Sequence, residues 1–96
     1  MLTSKQRAKL RSIASTGDTI FQVGKGGVVD TLVKQVDDAL TARELIKLKV
    51  LETSPAPVRE VAQQLAGATG SEVVQIIGMK LVLYRRNPEK PIISLD

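Results

Sequence analysis

Between residues 28 and 40 the apolar side chains recur at Val29, Leu32, Val33, Val36 and Leu40. That i, i+3, i+4, i+7 spacing is the mark of a helix burying one face. Val28 and Ala39 lie beside the stripe, while Lys34, Asp37 and Asp38 take the wet side. Residues 44–51, ELIKLKVL, keep a different rhythm, a period of two. Ile46, Leu48 and Val50 point one way; Leu45, Lys47, Lys49 and Leu51 point the other. This predicts a strand with one buried face and one basic face. Residues 3–15 predict an earlier helix, opened by Thr3 and Gln6 at capping-box spacing. Its stripe is Leu2, Leu10, Ile13 and Ala14, with Lys5 and Lys9 on one flank and Arg7 and Arg11 on the other. Gly17 and Asp18 break the pattern, and TIFQV (19–23) is short and β-prone. Pro55 and Pro57 make TSPAP a loop, after which a third helix runs over 57–68 with Val58, Val61, Ala62 and Leu65 inward and Gly67 or Gly70 at its end. Strands over 71–77 and 80–86 meet at Gly78-Met79, a pair suited to a type II′ hairpin turn. A tail over 87–96 offers Ile92, Ile93 and Leu95 for docking.

The predicted order is α-β-α-β-α-β-β in one domain spanning residues 1–96. Two strand–helix–strand units require right-handed crossovers and parallel strands, and the closing hairpin adds an antiparallel one. The expected fold class is α/β, a two-layer α+β sandwich with a four-stranded mixed sheet and helices on one face. Lys47 and Lys49 suggest that the other face is open to water.

Composition narrows the function. The chain has 96 residues, 43% of them hydrophobic, which is enough for one core and no more. Cysteine and histidine are both absent, which removes disulfides, thiolate nucleophiles, histidine bases and the common zinc ligand sets. The net charge of +4 points to an anionic partner, usually nucleic acid. No apolar run approaches the roughly 18 residues of a membrane span. The first residues are basic and acid-free, as in an organellar leader.

Candidate chemistry concentrates at Gly24-Lys25-Gly26-Gly27, between a strand and a helix. A P-loop fails, because no glycine here is followed by Lys-Ser or Lys-Thr. A dinucleotide fingerprint fails too, because Val29 stands where its third glycine belongs. A G-x-x-G clamp on a nucleic-acid backbone remains, with the following helix N-terminus and Lys25 attracting a phosphate. A plain tight turn with a solvated lysine is the alternative at this point. With Phe21 and Tyr84 as the sole aromatics, a stacking platform cannot be built, so any RNA contact rests on phosphates, sugars and shape.

Four segments, LTSKQRAKLRSIA, FQVGKGGV, ALTARELIKLKV and VVQIIGMKLVLYRR, in that order and spacing, resemble the CRM domain of the YhbY family. The resemblance begins at Leu2 and so speaks against a cleaved leader. STGDTIF and Asp96 depart from the family's usual His-Pro connection and closing proline. The resemblance implies a fold similar to the C-terminal domain of translation initiation factor three and an RNA-contacting loop at Gly24, Lys25, Gly26 and Gly27. It also implies a cytoplasmic, bacterial protein that binds large-subunit rRNA precursor without cofactor, metal or membrane. Lys5, Arg7, Lys9, Arg11, Lys47 and Lys49 are candidates for a surrounding basic surface. A protein–protein module docking on ribosomal proteins through the open sheet face is the alternative. An enzyme is disfavoured, since Asp30, Asp37, Asp38, Glu44 and Glu60 fall on solvent faces or element ends and offer no acid–base couple.

Overall fold

The computed structural model describes residues 2–95. Its elements are α1 (Ser4–Ser15), β1 (Phe21–Val23), α2 (Asp30–Arg43), β2 (Leu45–Val50), α3 (Val58–Thr69), β3 (Glu72–Ile77) and β4 (Lys80–Tyr84), in the expected order. The four strands form one mixed sheet in the order β1-β2-β4-β3. β1 pairs parallel to β2, and β4 pairs antiparallel to both β2 and β3. β2 and β3 therefore run the same way, as their crossover demands, with the hairpin's return strand inserted between them. Positive φ at Gly78 (57°), and not at Met79, fits the type II′ turn.

One face of the sheet carries Val23, Ile46, Leu48, Val50, Leu81 and Leu83, packed against Leu32, Val36 and Leu40 of α2 and Val61, Ala62 and Leu65 of α3. The expectation that all helices share this face is corrected. Val74, Val82 and Tyr84 alternate with the first set and form a second buried cluster with Leu10 and Ala14 of α1. Leu2, Leu45, Ile93 and Leu95 pack against that cluster. The reason lies in β4, where Leu81, Val82, Leu83 and Tyr84 are all buried. A strand apolar on both faces needs cover on both, and α1 and the tail supply it.

Local rules shape the rest. The Thr3–Gln6 capping box forms in both directions. α3 ends at Gly70 in the left-handed region. α2 begins at Asp30 rather than at 28, because Val29 is extended (φ −116°, ψ 165°) and acts as its N-cap. Val29, expected to face inward, is accordingly exposed, and Val28 packs against the core instead. Ile13 and Ile92 also stay largely exposed. Asp96, noted above as a departure, lies outside the described residues.

Candidate functional site

The Gly24–Gly27 turn is fixed from both ends. The Leu51 N–H donates to the Val23 carbonyl at 2.8 Å, tying the end of β1 to β2, and the Gly27 N–H donates to the Gly24 carbonyl at 2.9 Å. Lys25 and Gly26 form the exposed tip. The two outer glycines are needed for closeness. A Cβ on Gly24 would meet Leu51 Cδ1 at 3.4 Å, and one on Gly27 would meet Pro55 Cγ at 3.0 Å, with φ at +67° besides. A Cβ on Gly26 would meet nothing within 4 Å. The turn is thus backed by the β2–α3 loop and bare on its outer side. Among the described residues, Lys25 has no hydrogen-bond or ion-pair partner.

The helix N-terminus contributes less than the sequence suggests. Two residues, Val28 in a bend and Val29 extended, separate the turn from α2, and Asp30 already places a carboxylate in the first helical turn. No side chain caps those amides. An anion at the turn would be held by the turn's own N–H groups and Lys25.

The other six cations divide into two groups. Arg11 and Lys47 line one shallow cleft on the α1 side of the sheet, and Lys49 is exposed at the end of β2 nearest the turn. Lys47 is half-buried and donates to the Ala14 carbonyl at 3.3 Å, capping the C-terminal end of α1, so the open basic face expected of β2 is partly used inside the fold. Lys5, Arg7 and Lys9 lie on the N-terminal half of α1, whose approach is anchored where the Leu2 N–H donates to Glu72. Glu72 pairs with Tyr84, and Tyr84 with Leu45, at the opposite end of the sheet from Lys49. Arg7 donates to the Val73 carbonyl at 2.6 Å and lies 4.0 Å from Glu72, which gives the unusual cation near a helix N-terminus a structural task. Lys9 donates to the Ser94 carbonyl and holds the tail.

Two features escaped the sequence reading. Lys80, at the start of β4, stands directly opposite Lys49. Glu44, placed at an element end, is fully buried at φ 64°. Its carboxylate accepts from the N–H groups of Asn87, Ile92 and Ile93 at 2.6–2.7 Å. Burial alone would raise its pKa, but those three amides and the nearby Arg86 outweigh it and hold the carboxyl below its ordinary value. Arg85 joins the strand end to both front helices through Asp37 (2.5 Å) and the Thr69 carbonyl (2.7 Å). Among the described residues, no group of three or more histidine, cysteine, aspartate or glutamate side chains is placed to hold a metal, and no helix is long and apolar enough to cross a membrane.

Residues 2–85 match the model of the CRS1/YhbY (CRM) domain. The chain is 47% identical over 95 residues to a Bacillus subtilis protein named "Probable RNA-binding protein YqeI", covering 99% of each. It is 30% identical over 91 residues to a Haemophilus influenzae protein named "RNA-binding protein", covering 95% of this chain and 92% of that one. Among solved structures, the solution structure of Staphylococcus aureus SAV1595 aligns over the full length of both chains with a TM-score of 0.82 at 48% identity.

Proposed function

The chain belongs to the CRS1/YhbY (CRM) domain family, which is a non-catalytic RNA-binding family, and from that premise we propose that it binds RNA through the Gly24–Gly27 turn and the cations around it. The observation that carries this reading is the geometry of the turn. It is closed by its own hydrogen bond, backed by Leu51, Thr53 and Pro55, bare outward at Gly26, and tipped by an unpartnered lysine. An exposed glycine at the tip beside an ammonium suits a sugar-phosphate chain approaching edge-on. Lys25→Ala leaves the turn's packing intact and removes one point charge. Binding to unrelated RNA sequences should weaken alike, by roughly two- to fivefold, the scale of an exposed ionic contact. Unchanged affinity in a fluorescence-anisotropy titration removes the turn from the interface.

The RNA is proposed to be a precursor of the large ribosomal subunit, in keeping with the family's single-domain bacterial members. Crosslinking in cells followed by sequencing of the attached RNA tests this. Reads concentrated in large-subunit rRNA precursors support it, and reads spread over unrelated transcripts overturn it. The alternative of a protein-docking open sheet face keeps only the exposed row at the turn end, because α1 and the tail cover the rest of that face.

A further inference from the structure

The strand registers line up one residue from each strand on the α1 side of the sheet. Gln22 of β1 pairs with Lys49 of β2, Lys49 with Lys80 of β4, and Lys80 with Ile77 of β3. Directly paired residues share a face, so Gln22, Lys49, Lys80 and Ile77 form one transverse row. All four are exposed. The next row inward, Lys47, Val82 and Gln75, borders the last turns of α1. The outer row is therefore an uncovered ledge running alongside α1, and it starts two residues before the Gly24–Gly27 turn.

Its chemistry is lopsided. Lys49 and Lys80 face one another as like charges, an arrangement that destabilises a sheet. Neither has a hydrogen-bond or ion-pair partner among the described residues, and neither does the half-buried Arg11 beside them. The other arginine of α1, Arg7, is bound within the fold. No acid lines the cleft that Arg11, Lys47 and Lys80 share, and its floor is Ala14, Val82 and Ile77. The opposite flank of the turn, toward α2 and α3, carries Asp30 and Glu60 in the helices' first turns. Arg59 shares the first turn of α3 with Glu60, so that flank is mixed in charge, whereas the cleft beside the row is lined by cations and no acid.

We infer that this row is a track for single-stranded RNA, which enters at the glycine turn and crosses all four strands to the Ile77 edge. The track spans three strand spacings, about 14 Å. Lys49 and Lys80 hold successive phosphates, Arg11 reaches the same stretch of backbone, and Ile77 with Val82 gives an unstacked base an apolar seat in place of an aromatic one. This rests on the RNA-binding reading above and adds to it a direction, a minimum length and a second set of contacts.

The test compares wild type with Lys80→Glu and Lys25→Ala on fluorescein-labelled oligouridylates of two lengths, one just spanning the turn and one about three times longer. Lys80→Glu replaces a like-charge pair with an ion pair to Lys49, so its melting temperature should stay level or rise, which excludes misfolding as a cause of lost binding. The track predicts that Lys80→Glu weakens the long oligomer while sparing the short one. The log–log salt slope on the long oligomer should fall by about 1.4, equivalent to two charges on a single strand. Lys25→Ala should weaken both lengths. Loss with Lys25→Ala but none with Lys80→Glu overturns the track and leaves the turn as the binding site. Absence of wild-type binding to either oligomer, or to any RNA, overturns the RNA reading itself.

Discussion

Glu44 shows how one residue can be fixed by partners far along the chain. It closes α2 at a positive φ, with its N–H donating to the Leu40 carbonyl and its carbonyl accepting from the Arg85 N–H. A non-glycine residue there is strained, and the three tail amides on its carboxylate offset that strain. Because those amides and Arg86 outweigh the effect of burial, the folded-state pKa lies below the ordinary 4.5. The stabilisation is therefore complete above the unfolded-state pKa and is lost as pH falls through the lower folded-state value. Glu44→Gln keeps the volume but turns an amide donor toward N–H groups that need acceptors. It should cost about 1.5–3 kcal/mol at neutral pH and flatten the fall in stability below pH 4.5, as read by urea unfolding across pH. The amides of Ile92 and Ile93 should lose hydrogen-exchange protection first. Nothing beside Glu44 in the sequence marks it, since the groups it binds lie 43 to 49 residues downstream.

At the scale of elements, the back layer is where sequence and structure part. The periods of α2, β2 and α3 were legible because each buries one regular face. β2 also misled: two lysines on its second face suggested water, although Lys47 caps α1 and Leu45 packs beside Tyr84. The clue was in β4, where LVLY is too uniformly apolar for a strand with a wet side. The Lys49–Lys80 pairing was not legible at all, because it depends on β4 lying between β2 and β3, an order that local pattern does not specify. If α1 is an integral layer, Leu10→Ala should cost about 2–5 kcal/mol, as for a fully buried leucine. Ile13→Ala, three residues on but 40% exposed, should cost far less. Equal and small effects of the two in urea titrations would reduce α1 to a loosely attached arm.

Over the whole molecule the decisive quantity is where the unpartnered positive charge lies, more than the net +4. Arg7, Lys9, Lys47 and Arg85 are tied to the fold by hydrogen bonds, and Lys34 lies 3.9 Å from Asp38. Among the cations whose side chains lack such partners, Lys25, Arg11, Lys49 and Lys80 cluster at the turn end of the sheet on its α1 side, while Arg43, Arg59 and Lys90 lie on α2, α3 and the tail. Lys5 is unpartnered too, but it lies in the first turn of α1, six residues before Arg11 and so about 9 Å from it along the helix axis. That separation exceeds the Debye length of about 8 Å at physiological salt, so Lys5 should not act on RNA held at the turn end. Four phosphates neutralised on a single strand give a log–log salt slope near −3. Wild type should show that value on a long oligouridylate, and Lys5→Ala should leave it unchanged, whereas Lys49→Ala should reduce its magnitude by about 0.7. A slope near zero would mean that the RNA is not held through its phosphates. An equal reduction from Lys5→Ala and Lys49→Ala would mean that charge acts diffusely over the surface, and that the turn end has no special claim on the RNA.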